Sequence, residues 1–378
     1  MEIELGAFLV IVYCIVDDLY RSTYAAHKPR RRGHKPELSD SEVLTLAILC
    51  QWRLDRSENR FVQYVLGNWQ AYFPRMLSQG AFNRRVRDLA GVLCRIGPEV
   101  ARLSKAELAA RAEEGPLFRV GYEVLDGVPV PLMRRCRGER HRLFGPEASI
   151  GCGGSDRDWY YGVKLLLAVS PEGLVTGFVF GPANTEERWL AEALLGWRFD
   201  PSLPEPSAEG LALVLGPSHR NRGQRQGPTG PILSPGAGGG RGVGEGDDQA
   251  KEKLYLGDLG FRGLAWQQHW LEDHRALVQT KRDYDQLAYT VETAEGKAAL
   301  VREAGAGRRM MASLRQVIET VNDYLDAVLG LKYPKARSLW GLLARLGAKI
   351  AALNLALHFN LTNDHPTFSQ FNPLSDCA

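Results

Sequence analysis

The sequence predicts an α/β protein preceded by a helical region, and three observations carry that expectation. Residues 1–112 carry helix signals. From Leu117 the texture changes to short apolar runs bounded by turn residues, three of them before the next helix. Residues 200–252 then interrupt the pattern with Pro- and Gly-rich sequence, after which strand and helix signals resume. The expected organisation is an N-terminal helical, DNA-binding unit at 1–112, an α/β unit at 113–362 holding a flexible insertion at 200–252, and a polar tail at 363–378.

The chain has 378 residues, 44% hydrophobic and 24% charged, which is ample for a buried core. Its net charge of +3 is unevenly spread. Basic runs stand at 28–35 (Lys-Pro-Arg-Arg-Arg-Gly-His-Lys) and 134–142, and such runs attract polyanions by counterion release. The six cysteines are scattered with no CxxC spacing, which argues against a zinc ribbon and a disulfide framework and fits a cytoplasmic chain. The apolar stretch Leu5 to Val16 follows Glu2 and Glu4 and leads into Asp17-Asp18, so a buried helix is expected, not a signal peptide. Arg345 and Lys349 interrupt the apolar stretch from Leu339 to Leu361, which is expected to be a core helix rather than a membrane span.

In chain order, Ser39-Asp40-Ser41-Glu42 is a capping box ahead of Val43 to Leu49. A second helix is expected from about Ser78 through Leu89, with Gln79, Asn83, Arg84 and Arg87 on its exposed face. That face fits a DNA recognition helix or an ordinary basic surface. Strands are expected at Leu117–Val130, Tyr161–Ser170 and Leu174–Phe180, with Pro171-Glu172-Gly173 turning between the last two. A helix capped by Asn184, with Glu187 at its third position, follows. After the insertion come a strand ending at Asp258, a helix over Leu264–His274 and a strand over Ala276–Thr280. Met311, Leu314, Ile318, Val321, Leu325 and Val328 then form one apolar helical stripe, with Glu319 at its border and Arg315 a turn earlier.

Asp126 and Asp258 each end an apolar run, and Glu319 lies on a helix. Carboxylates so placed can converge on two Mg²⁺ ions, which stabilise the attacking and leaving oxygens of a displacement at phosphorus. Each has a plainer alternative: Asp126-Gly127 is also a hairpin-turn signal, Asp258 also a helix cap, and Glu319 also a solvated helix residue.

Several motifs carry a resemblance. They are Val124-Leu125-Asp126-Gly127-Val128-Pro129, Tyr161-Gly162-Val163-Lys164, Asp258-Leu259-Gly260-Phe261, Arg315-x-x-x-Glu319 and Ala336-Arg337-Ser338-Leu339-Trp340. In this order they resemble the DDE transposases of bacterial insertion sequences. The resemblance implies an RNase H-like mixed-sheet core and metal-dependent cleavage and strand transfer at element ends. Asp126, Asp258 and Glu319 would hold two Mg²⁺ ions, with Mn²⁺ substituting, and Arg315 would orient Glu319 or bind phosphate. Double-stranded DNA, both terminal inverted repeats and target, would be the partner of a homodimer in the bacterial cytoplasm, on the nucleoid when bound. Arg30, Arg31, Arg32, Arg84, Arg87, Arg134, Arg135, Arg137 and Lys164 would contact DNA, and Trp266 would stack on an unpaired base. Ala312 and Asp326 depart from the family's usual Tyr and Lys. Those departures keep a decayed copy open, alongside a non-catalytic DNA-binding protein and a nuclease without strand transfer. The short interval from Asp258 to Glu319 leaves no room for a sizeable extra β domain, so no dedicated hairpin-binding domain is expected.

Overall fold

A computed structural model describes residues 4–24, 36–53, 57–111, 121–138, 144–153, 158–199, 253–280 and 306–363. It also describes strand segments at 232–233, 289–292 and 298–301 and the single residues 283, 365 and 368. The basic run at 28–35, most of the Gly/Pro-rich segment and the polar tail lie outside the described residues.

The architecture is mixed α/β. Five N-terminal helices, α1 (Leu5–Thr23), α2 (Asp40–Leu49), α3 (Glu58–Asn68), α4 (Gln79–Asp88) and α5 (Ala90–Arg111), precede the sheet. The capping box forms as expected: Ser39 Oγ accepts from Glu42 N, and Glu42 accepts from Ser39 N. Ser78 caps α4, whose Phe82 and Val86 are buried. Its polar face is less free than expected, because Asn83 donates to Glu58 and Arg85 pairs with Asp40.

The sheet begins with β1 (Tyr122–Arg134), which starts at the described edge and runs past the expected end at Val130. Then come the four-residue helix α6 (Arg135–Gly138), β2 (Ser149–Gly153), β3 (Asp158–Val169), β4 (Val175–Pro182) and α7 (Glu187–Phe199). The turn between β3 and β4 closes through Gly173 at φ 85°, a backbone conformation that costs glycine little. β5 (Ile232–Leu233) is a two-residue strand on the edge of β4, inside the segment whose composition predicts no structure. β6 (Lys253–Leu256), α8 (Leu264–His274) and β7 (Ala276–Gln279) follow, with α8 spanning the expected residues. A small hairpin, β8 (Tyr289–Glu292) with β9 (Ala298–Val301), then occupies part of the interval expected to hold no sizeable β domain. The chain continues in α9 (Ala306–Ala327) and α10 (Leu339–Thr362).

Strand order in the main sheet is β5-β4-β3-β1-β6-β7, with β2 pairing on β3. β1 pairs antiparallel with β3 and parallel with β6, and β6 pairs parallel with β7. Side chains alternate between two cores, as the two-residue strand period requires. Leu125, Leu166, Ala168 and Val179 face α7 and α8, packing on Leu190, Leu194 and Trp270. Val124, Val128, Leu165 and Leu167 face the other way, into a core shared with α9, α10 and the N-terminal helices. α10 is the one described helix long and apolar enough to cross a membrane, and 89% of its most apolar window is buried inside the protein. That is the core role its sequence predicts.

Candidate active site

Asp126 does not sit in a turn. It lies inside β1, opposite Leu167 of β3. The parallel ladder to β6 ends at the pair Val124 and Leu256, so Asp126 and Asp258 each stand two residues beyond it. They therefore lie at one level where two parallel strands part, the crevice at which open α/β sheets bind ligands. Asp258 also caps the 3₁₀ turn Leu259–Phe261, its Oδ1 accepting from Gly260 N at 2.7 Å. Its capping role and its place beside Asp126 coexist.

The third carboxylate at this point is Glu187, the first residue of α7. The helix begins there, two residues later than a cap at Asn184 predicts, because the Asn184 carboxamide is taken up by Ser149 Oγ at 2.7 Å. Glu187 reaches over the sheet through space left by two glycines. A Cβ on Gly127 would come 2.7 Å from Glu187 Oε1, and one on Gly260 would meet Glu187 Oε2 at once. The glycines following Asp126 and Asp258 thus make room for one side chain between them.

α7 is fixed at its far end by a buried ion network. Arg198 pairs with Glu123 of β1, while Lys253 of β6 bonds Glu123 Oε1 at 2.7 Å. Arg198 also donates to Tyr255 Oη and Thr176 Oγ1. Its attraction, with that of Lys253, outweighs burial and holds Glu123 ionised, at about 2. Because Glu123 and Gly127 share one face of β1, anchoring Arg198 sets where Glu187 falls.

From the opposite face, α9 supplies Arg315 and Asn322. Arg315 Nη2 lies 3.5 Å from Asp126 Oδ1, and Asn322 Nδ2 donates to Asp126 Oδ2 at 3.0 Å. Glu319 lies between them on the same side of the helix, one turn from each, and is exposed. The structure thus brings Asp126, Asp258 and Glu187 together and leaves Glu319 at the solvent rim. Lys164 of β3 donates to Thr185 O at 2.9 Å and stands 3.8 Å from Glu187.

The electrostatics are those of crowded, incompletely compensated carboxylates. Burial, aided by Asp258, pushes Asp126 up to about 6 despite Arg315 and Asn322. Burial and the charges of Asp258 and Asp126 push Glu187 up to about 7, with Lys164 opposing. Two buried atoms here, Arg315 Nε and Asn322 Oδ1, have no hydrogen-bond partner among the described residues. Converging carboxylate oxygens plus a spare amide oxygen suit a hard divalent cation and its waters.

The other expected DNA contacts are dispersed. Arg84 is exposed on α4, and Arg87 is half-buried there. Arg134, Arg135 and Arg137 are exposed at the end of β1 and on α6, with Arg135 over the Trp159 ring. Trp266 is half-buried, edge-on to Trp189 at 4.7 Å and beside Trp270, so packing occupies much of its ring. Arg30, Arg31 and Arg32 lie outside the described residues. At the departure from the family pattern, Asp326 pairs with Lys332, not with a group at the site.

Sequence reasoning missed Glu187 and Asn322. Glu187 was visible only as a cap residue, and the signal that could have exposed it was the pair of glycines after the two aspartates. Asn322 stands seven residues after Arg315, two helical turns along the same side. Scans against protein-family models, curated proteins and solved structures each return no match for this chain.

Proposed function

We propose that this chain is a metal-dependent phosphoryl-transfer enzyme acting on DNA, a transposase of the DDE kind with an RNase H-like core. One observation carries the reading: Asp126, Asp258 and Glu187 converge where β1 and β6 part, with Arg315 and Lys164 beside them. The mixed sheet, with one aspartate on its central strand and the other after the neighbouring parallel strand, agrees with the fold the sequence motifs imply. Asp126 and Asp258 would hold the metal ions, with Glu187 approaching from the α7 face and Glu319 reaching in from the rim. Four carboxylates balance the charge of two divalent ions. When bound, Mg²⁺ supplies charge neutralisation at the phosphoryl oxygens and lowers the pKa of a bound water.

The protein's own groups have separable tasks. Asn322 holds one oxygen of Asp126 and Arg315 stands at the other, so the carboxylate is oriented from both sides. Arg315 stands where a phosphate oxygen can share its guanidinium, a geometry that favours bidentate contact. Lys164 keeps a positive charge beside Glu187 and limits its protonation. The exposed arginines of α4, β1 and α6 engage the DNA backbone, which sets register without reading sequence.

The test uses purified protein, labelled duplexes bearing the terminal repeats that flank its coding sequence, and Mg²⁺, read on denaturing gels. Cleavage with joined product is the expected result, and Asp126→Asn, Asp258→Asn, Glu187→Gln and Glu319→Gln each abolish it. Cleavage without joining assigns a nuclease. DNA binding with neither product, unchanged by Mg²⁺, assigns a non-catalytic binder.

A further inference from the structure

A second cluster of metal-ligating side chains lies on the same helix as Glu187 but uses different chemistry. Glu192 of α7 meets two histidines of α8. His269 Nε2 is 3.0 Å from Glu192 Oε2, and His274 Nε2 is 2.9 Å from Glu192 Oε1. One donor atom from each of the three lies within 4.8 Å of the others. Around a tetrahedral zinc with bonds of about 2.0–2.1 Å, neighbouring donors stand roughly 3.3 Å apart, so a small inward adjustment closes the set. We infer that Glu192, His269 and His274 form a binding site for a borderline divalent transition-metal ion, Zn²⁺ above all, that staples α7 to α8.

Two surrounding features support a ligand set over a chance grouping. Asp273 Oδ2 lies 2.5 Å from His269 Nδ1, the kind of outer carboxylate that orients a ligating imidazole, here with Nε2 toward Glu192. With a carboxylate at each nitrogen, the ring calls for a positive charge at Nε2, carried by a proton or by a metal ion that replaces it. Trp270 Nε1 donates to Glu192 Oε2 at 2.9 Å and fixes the plane of the carboxylate.

Two imidazoles and one carboxylate suit zinc and its neighbours, whereas Mg²⁺ and Ca²⁺ prefer oxygen alone. All three side chains are half-buried, so a water can take the fourth position. α7 carries Glu187 and α8 follows Asp258, so the staple fixes the spacing of the helices on which those carboxylates depend. The inference stands independently of the DNA-processing reading.

The experiment is zinc uptake by the full-length chain after dialysis against chelator, measured by competition with a chromophoric chelator and repeated with Co²⁺ for its spectrum. One tight zinc per chain is expected, with a nitrogen/oxygen cobalt spectrum, insensitivity to excess Mg²⁺ and a zinc-dependent rise in Tm. His269→Gln and Glu192→Gln lose the tight site and the rise. Asp273→Asn weakens binding by roughly 10- to 100-fold, the usual effect of losing such a support. His269 is the most exposed of the three ligands, and its variant is required to match the chelated wild type in circular dichroism and Tm. Zinc uptake unchanged in both ligand variants, a cobalt–thiolate band, or no tight zinc at all would overturn the site and leave a charged hydrogen-bond network.

Discussion

Gly127 and Gly260 are the smallest residues of the candidate site and among its most constraining. Each lies against the far end of Glu187, a flexible side chain, rather than against backbone, and a Cβ on Gly260 would also stand 2.9 Å from Asp258 Oδ1. Gly127→Ala and Gly260→Ala are therefore expected to leave Tm nearly unchanged while expelling the Glu187 carboxylate from the crevice. The Mg²⁺-induced rise in Tm should fall at least as far as in Glu187→Gln, and adding Gly127→Ala to Glu187→Gln should cost nothing further. Additive losses in that double variant would show that the glycines act on something other than Glu187.

The same carboxylates predict a pH dependence. Folding raises Asp126 from 3.8 to about 6 and Glu187 from 4.5 to about 7. The folded chain thus binds protons more tightly than the unfolded chain, and stability from these groups falls as pH rises through that window. A divalent cation supplies the missing positive charge where the carboxylates are ionised. The Mg²⁺-induced rise in Tm should be large near pH 8, where both groups have lost their protons, and small near pH 5. Asp126→Asn should flatten that difference, and an equal Mg²⁺ effect at both pH values would place the cation elsewhere.

At the scale of elements, α5 and α10 cross at van der Waals contact through glycine. A Cβ on Gly347 would stand 2.7 Å from backbone atoms of Leu93 and Cys94, and one on Gly97 would meet Ile350 and the backbone of Ala351. Backbone cannot swing aside as a side chain can. Gly347→Ala should lower stability by about 1–3 kcal/mol, the usual cost of overpacking, read as a drop in denaturation midpoint at unchanged m-value. A neutral result would mean that the helices cross farther apart. Much at this scale was legible in the sequence, because capping boxes, turn glycines and the 3.6-residue stripe are local signals. Ser39 with Glu42, Gly173 and the buried Ile318, Val321 and Leu325 all behave as their patterns predict. The parts that were not legible depend on neighbours distant in sequence. The strand pair Ile232–Leu233 exists through β4, and Glu187 enters the site because the Glu123–Arg198 pair anchors the opposite end of α7. Asp126 and Asp258 could be singled out from the ends of their apolar runs, but their common level follows from a parallel register that no local pattern encodes.

At the scale of the whole molecule, the change from helical to strand sequence near residue 112 is not a boundary in the packing. The N-terminal helices, α9, α10 and one face of the sheet share a single buried core. A fully buried amide pins its parts together. Asn354 of α10 donates to Gly97 O of α5 at 2.7 Å and to Val175 O of β4 at 2.8 Å, and it accepts from Val175 N at 2.9 Å. Asn354→Leu keeps a similar volume and removes three hydrogen bonds to buried backbone, each loss costing about 1–3 kcal/mol where a group is orphaned, so a loss of several kcal/mol is expected. If helices and sheet fold as one unit, the wild type unfolds in a single calorimetric transition, and Asn354→Leu moves that transition down without splitting it. A chain truncated to residues 113–378 should then fail to fold, because it exposes the sheet face and the α10 surface that the N-terminal helices cover. Two transitions in the wild type, or a well-folded truncated chain, would instead restore residue 112 as a true domain boundary.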